Sequence, residues 1–313
     1  MVSFISPCAS FSRRINCTSS LNPLEHRRVL VTAPAQYAAR LLPRLIERHA
    51  RPIHAPLICT KPLSESLAFD LEEAILRLSE YDIVAFTSRT GIRSFAEKIR
   101  TLCETDEQAS LMLRASGVRI AALGADGSAV SEYLHVAPDI LPPDPSPSGL
   151  VDFLALDLEL KGSRILCPIP KVVNLPEPPV VPNFLRGLKE AGFRVKSVAA
   201  YVTSPLERVK VEVEIEMLQK GHIDAVLVSS QGEANALYSL LSESERSALL
   251  EQLNSGQVLL AAHGPYTAAG ISEVFGIESI VVSQNWASFQ GVVDALETKF
   301  AEISVGDGLI LPV

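Results

Sequence analysis

Asp82-Ile-Val-Ala-Phe-Thr-Ser88 and Asp224-Ala-Val-Leu-Val-Ser-Ser230 decide how the chain is read. Each is an acid, an unbroken β-prone apolar run, and two small hydroxylated or extended positions where a helix can begin. An apolar run without alternation suits a parallel strand covered on both faces. The two stretches lie 142 positions apart. Two further pairs repeat at nearly that distance: Val118-Arg-Ile-Ala-Ala-Leu-Gly124 with Val258-Leu-Leu-Ala-Ala-His-Gly264, and Gly149-Leu-Val-Asp152 with Gly291-Val-Val-Asp294. Three segments in one order at a near-constant offset describe an internal duplication of long period. That makes two similar lobes, not a solenoid.

Outward from these anchors, short β-rich runs alternate with helical ones. Residues 29–32 read as a strand and 36–49 as a helix with Leu41, Leu42, Leu45 and Ile46 on one face. An amphipathic segment at 67–79 precedes the strand at 83–86. Helices follow from Thr90 and at 108–115, then a strand at 118–123, a helix at 127–134, a proline-rich loop at 141–147 and a helix at 149–158. Such alternation predicts parallel βαβ units. Two extended, proline-ended stretches, 52–62 and 193–205, fit neither repeat and suit a pair of strands crossing between lobes. The expected fold is therefore α/β: two similar lobes of parallel sheet flanked by helices, joined by a two-stranded β-ladder hinge. Lobe 1 would be discontinuous, 28–56 plus 203–302; lobe 2 would span 57–202, with 303–313 a C-terminal tail.

Composition narrows the function classes. The 313 residues are 47% hydrophobic with a formal net charge of −8, and the length suits about two domains. No apolar run approaches the roughly 18–20 residues that cross a bilayer, and no basic stripe marks a nucleic-acid face; neither membrane nor nucleic acid is an expected partner. The five cysteines, Cys8, Cys17, Cys59, Cys103 and Cys167, form no CxxC pair and no metal spacing with the six histidines, so they read as free thiols in a reducing compartment and no metal is expected. Residues 1–24 are serine-rich, carry Arg13–Arg14 and hold no acid before Glu25. Without the apolar core of a secretory signal, this composition points to a plastid transit peptide over 1–27, or to a disordered tail.

In parallel sheets, ligands bind beyond the carboxyl ends of the strands, where helix N-termini point N–H groups outward. Four junctions qualify: Phe86-Thr-Ser-Arg-Thr-Gly91, Leu123-Gly-Ala-Asp-Gly127, Val228-Ser-Ser-Gln-Gly232 and His263-Gly-Pro-Tyr-Thr267. Thr87, Ser88, Ser229, Ser230, Gly264 and Thr267 are their candidate ligand contacts, suited to carboxylates or phosphates. Taken singly, Ser88, Ser230 and Thr267 also read as ordinary helix caps worth about 1 kcal/mol each. GxGxxG, GxxxxGK[ST] and GxSxG are absent. His263 ends a strand without a nameable serine or aspartate partner and reads as structural or capping.

These junctions, in this order, resemble the uroporphyrinogen-III synthase family: FTSRTGIRSF at 86–95, GFRVKSVAAYVTSP at 192–205, VSSQGEAN at 228–235 and HGPYTAAGISEVFG at 263–276. Val31-Thr-Ala-Pro34 resembles the family's VTRP-type start. The resemblance covers the chain after about residue 28. It implies two lobes around a cleft, no cofactor, usually a monomer, and conversion of the small-molecule substrate hydroxymethylbilane into uroporphyrinogen III with inversion of ring D and loss of water. It implies a place in the plastid stroma for a chain with this leader. It carries the family's cleft hydroxyls onto Ser88, Tyr201, Ser230 and Thr267, with Tyr201 the catalytic candidate. Three departures stand out. Ala33 replaces the arginine of the start, Gly127 replaces a capping threonine, and Pro168-Ile-Pro-Lys-Val-Val-Asn-Leu-Pro-Glu-Pro-Pro179 replaces a basic loop after a strand ending at Cys167. Lys171 is then that loop's only cation and a substrate-binding candidate. Lost cations weaken a site for a polyanion, so a non-catalytic tetrapyrrole-binding or regulatory paralogue is the alternative, and a two-lobed binder of unrelated small molecules a further one.

Overall fold

The structure, a computed structural model, describes residues 22–103 and 105–307. The leader's Cys8, Cys17 and Arg13–Arg14 and the last six residues of the chain lie outside them. The chain opens with β1 (Arg28–Val31), α1 (Ala35–Glu47) and β2 (Arg51–His54), then crosses over residues 55–57 into β3 (Ile58–Lys61). The second lobe continues with α2 (Glu65–Leu76), β4 (Ile83–Ala85), α3 (Arg89–Leu102), α4 (Asp106–Ser116) and β5 (Arg119–Ala121). It closes with α5 (Gly127–Leu134), α6 (Pro147–Leu156), β6 (Arg164–Val172), α7 (Val180–Glu190) and β7 (Arg194–Pro205). The return to the first lobe brings α8 (Glu212–Gln219), β8 (Ala225–Val228), α9 (Gln231–Leu240) and α10 (Glu243–Asn254). Last come β9 (Leu259–Ala262), α11 (Pro265–Phe275), β10 (Val281–Val282) and α12 (Gln290–Asp307).

The first sheet has the order β10-β9-β8-β1-β2 and all its pairs are parallel. The second has the order β3-β7-β6-β4-β5, parallel except where β3 meets β7. The duplication is visible in this order, with β9, β8, β1 and β2 matching β5, β4, β6 and β7. Strands β8 and β9, AVLV and LLAA, are buried at every position. Helices cover both faces of each sheet, as parallel sheets require. On the first sheet, Ile215, Leu237 and Leu249 pack on one face and Leu41, Leu45, Val292 and Leu296 on the other. On the second, Phe95, Ile99 and Leu113 oppose Leu150, Phe184 and Leu188.

The two connections between lobes lie side by side. Antiparallel pairing aligns Ile58 with Pro205 and Lys61 with Val202, and Leu206 N–H donates to Leu57 O at 2.9 Å. Residues 203–205 thus finish the longest strand of the second sheet. The strand expected to end at Cys167 does not end there. β6 runs on through Pro168 and Pro170 to Val172, paired to β7 throughout. Proline lacks the ladder donor, but β4 pairs with β6 only at Ile165 and Leu166, so the strand beyond is an edge on that side. A register shift between Ile169 and Pro170 absorbs the remaining mismatch.

Candidate functional site

The carboxyl ends of β1, β8 and β9 face those of β4, β5 and β6 across a cleft of about 440 Å³. Thr87, Ser88, Tyr201, Ser229, Ser230, Gly264 and Thr267 all line it; Lys171 does not. Pro170 and Val172 are the cleft-lining positions of that strand, and alternation turns the intervening Lys171 to the solvent side. Among the described residues, two side-chain hydrogen bonds join the rims. Gln36 donates to Thr90 Oγ1, and Ser148 and Tyr266 share a hydroxyl hydrogen bond.

At the floor, Tyr201 is only 6% exposed and its hydroxyl lies 3.1 Å from Ser88 Oγ. Ser88 caps α3 and accepts from Gly91 N–H at 3.1 Å. Burial raises the Tyr201 pKa above 10.0, the Ser88 hydrogen bond opposes that, and Asp126 nearby adds to it. The phenol is therefore neutral and a proton donor at ordinary pH. Asp126 lines the same wall and is itself raised by burial, against the pull of Arg40 and Arg89. Thr87, Thr60 and Thr203 also line the cleft, and their hydroxyls have no partner among the described residues, which leaves them open to a ligand.

The opposite wall differs. Glu233, 1% exposed in the first turn of α9, collects the hydroxyl hydrogens around it. Ser229 Oγ and Ser230 Oγ donate to Oε1, the latter at 3.0 Å. Thr32 Oγ1, at 2.7 Å, and Ser229 N–H, at 2.8 Å, face Oε2. Thr267 Oγ1, 9% exposed, is spent on Ser229 O at 3.2 Å. Ser229, Ser230 and Thr267 thus sit in the cleft, but their hydrogens point into the protein. The expectation that these hydroxyls donate to a bound carboxylate is corrected to one of cleft-facing lone pairs. Burial raises the Glu233 pKa, outweighing these hydrogen bonds. Thr32 Oγ1 also lies 3.0 Å from Leu227 O. Thr32 has one hydrogen for the two contacts, so it either shares it between Leu227 O and Oε2 or, where Glu233 is protonated, donates to Leu227 O and accepts from the carboxyl.

Above Gly264, Trp286 packs so closely that an added Cβ would fall 2.9 Å from Trp286 Cβ. His263 lines the cleft against Phe289, ring centroids 4.6 Å apart, and burial lowers its pKa to about 4 with Arg40 adding to the effect. Among the described residues no cluster of His, Cys, Asp or Glu could hold a metal, and no helix is long and apolar enough to cross a membrane. A cleft between two doubly covered parallel sheets, with a buried tyrosine on the connecting strand, is a recognisable arrangement. Residues 39–291 match the family model Uroporphyrinogen-III synthase HemD.

The chain belongs to that family. It is similar to a Methanothermobacter thermautotrophicus protein described as "Putative uroporphyrinogen-III synthase", 28% identical over an aligned stretch of 251 residues that covers 78% of this chain and 88% of that protein. A solved structure of a mutant uroporphyrinogen III synthase from the extremely thermophilic bacterium Thermus thermophilus superposes with a TM-score of 0.55 at 19% identity, covering 87% of this chain and 99% of its own. That likeness speaks for the fold. Within this HemD fold, the cleft residues that escaped the sequence reading include Arg40, Asp126, Glu233 and Phe289, with Thr60, Thr203 and Trp286 beside them. Glu233 left a signal, since Ser230-Gln-Gly-Glu233 has capping-box spacing. Arg40 left a fainter one, three positions from Tyr37 and six from Pro34 on a single helix face.

Proposed function

We propose that this protein is a uroporphyrinogen-III synthase, a lyase that closes linear hydroxymethylbilane to uroporphyrinogen III with inversion of ring D and loss of water. The observation that carries the reading is Tyr201, a buried neutral hydroxyl backed by Ser88 at 3.1 Å on the floor of the interlobe cleft. Breaking the terminal C–O bond needs a proton delivered to the departing oxygen, which leaves as water. A chain from Gly91 N–H to Ser88 Oγ, Ser88 O–H to Tyr201, and Tyr201 O–H to that oxygen would supply it, each bond polarising the next. Ring D then attacks the cationic ring A methylene through its substituted carbon. The bond from that carbon to the ring C methylene breaks, and the methylene rejoins at ring D's free α-carbon. Loss of that carbon's proton, which returns to the Tyr201 oxygen, restores the pyrrole with ring D inverted. The cleft's task there is to hold the chain folded.

Incubating residues 27–313 with fresh hydroxymethylbilane, oxidising, and separating the porphyrin isomers tests this. Predominantly type III product is the expected result; type I alone overturns the reading. A tetrapyrrole-binding protein without catalysis is the second reading. What favours it is the charge of the lining: Arg40 is its one cation among the described residues, against Asp126, Glu177 and Glu233. The proposal extends to a monomer in the plastid stroma, directed by the leader at 1–27. Import of that leader fused to a fluorescent protein, and the mass of the purified chain in solution, test the two points.

A further inference from the structure

Arg40 is the cation of the cleft, yet it forms no salt bridge with any described residue. Its guanidinium carbon lies 5.1 Å from the centroid of the Phe289 ring, which holds the planar group in place without neutralising it. His263 packs on the same ring. Its Nδ1 is buried and has no hydrogen-bond partner among the described residues. A buried lone pair without a donor costs less than a buried N–H without an acceptor, so the ring proton resides on Nε2. Nε2 is neither buried nor bonded to a described residue, so it offers a donor to the cleft. Beside them α11 begins at Gly264 with no side-chain cap, leaving N–H groups of its first turn unspent. The serine and threonine hydroxyls on this wall are committed to Glu233 and Ser229, so few other donors remain.

We propose that Arg40 and His263 Nε2–H, braced by Phe289 and facing the first turn of α11, form a subsite for one carboxylate of a polycarboxylate ligand. The subsite deepens the synthase reading, in which the substrate carries a carboxylate at the end of every side chain. A guanidinium fork with an adjacent neutral N–H donor accepts both oxygens of one carboxylate.

Trp286, the only tryptophan, lines the cleft and reports occupancy. The experiment titrates the full chain with uroporphyrin III and follows quenching of that tryptophan. Arg40→Gln is expected to weaken binding about tenfold and to flatten its salt dependence. Arg40→Lys recovers part of the loss, and His263→Phe loses affinity while retaining the stacking shape. Arg77→Gln, an equal loss of charge at the end of α2 and away from the cleft, leaves binding unchanged. Unaltered affinity and salt slope in Arg40→Gln would overturn the subsite. If the unaltered protein fails to bind uroporphyrin, the tetrapyrrole reading falls instead. The subsite is then judged with citrate, followed at the His263 imidazole resonance by NMR. A citrate-dependent shift that Arg40→Gln abolishes upholds it, and no shift overturns it.

Discussion

Replacing Glu233 by glutamine should leave the protein folded, reverse the direction of two hydroxyl groups, and improve binding of anions. The carboxyl takes hydrogens from Ser229 Oγ and Ser230 Oγ at one oxygen and from Ser229 N–H at the other. In Glu233→Gln the amide oxygen must face Ser229 N–H, because two donors cannot face each other. The amide NH2 then faces the serines, whose oxygens accept and whose hydrogens turn out into the cleft. No buried donor is left unpaired, so the cost is below about 1 kcal/mol. Glu233→Met offers no such rearrangement. Thr32 falls back on Leu227 O at 3.0 Å and the half-buried serines reach cleft water, but Ser229 N–H loses its acceptor. That and the lost charge-assisted bonds come to about 2–4 kcal/mol. The pH dependence supplies a second check. Burial raises the Glu233 pKa above 4.5, so the folded state holds this proton more tightly than the unfolded chain does. Its contribution is complete below pH 4.5 and is lost as pH rises through the folded value. Urea unfolding at pH 5 and pH 8 should therefore show the glutamine variant gaining on the unaltered protein as pH rises. A stability difference that stays constant between those pH values, or weaker uroporphyrin binding by Glu233→Gln, would refute the reasoning.

His263 acts in the opposite pH direction. Burial lowers its pKa from 6.5 to about 4, so its contribution is present above pH 6.5 and lost as pH falls through about 4. The loss is at most roughly 3 kcal/mol, and His263→Phe should flatten the urea midpoint over that window. Tyr201→Phe should slow type III product formation by a hundredfold or more, on the order of a general-acid contribution, while its urea midpoint moves little because only the Ser88 contact is lost. Gly264→Ala places a methyl 2.9 Å from Trp286 Cβ. It should cost about 1–3 kcal/mol through overpacking and shift the emission of the lone tryptophan; an unmoved spectrum would mean that Trp286 does not rest on this residue.

The two-lobed architecture was legible because parallel strands leave long apolar runs, and a duplicated lobe writes them twice. DIVAFTS and DAVLVSS lead into β4 and β8 at matching places in the two sheets, and VRIAALG and VLLAAHG into β5 and β9. The continuation of β6 was not legible. Pro168 and Pro170 punctuate a sequence as loop, and only the sheet order shows that this stretch has an unpaired side where a missing N–H costs no ladder bond. Lys171 failed for the same reason. A loop lysine is free to reach the ligand, whereas a strand lysine is bound to one face by the pleat, and that face is the solvent.

At the cleft, residue positions were more legible than proton positions. The strand–helix junctions identify which hydroxyls line it. The direction of each hydrogen depends on partners far away in sequence: Thr32 meets Glu233 across 201 positions, and Thr267 meets Ser229 O across 38. The consequence is an asymmetric cleft. The second-sheet wall offers Thr60, Thr87 and Thr203 hydroxyls free to donate. The first-sheet wall offers lone pairs from its serines, leaving Arg40 and His263 beside helix N–H groups as its donors. A polycarboxylate lying across such a cleft places its carboxylates on the threonines and on Arg40, and its uncharged backbone over Ser229 and Ser230. Ser229→Ala should therefore cost a bound polyanion less than Thr87→Val, although the two residues occupy equivalent positions of the duplicated fold. Equal losses from the two substitutions, measured by Trp286 quenching, would show that Glu233 does not control the serine hydrogens.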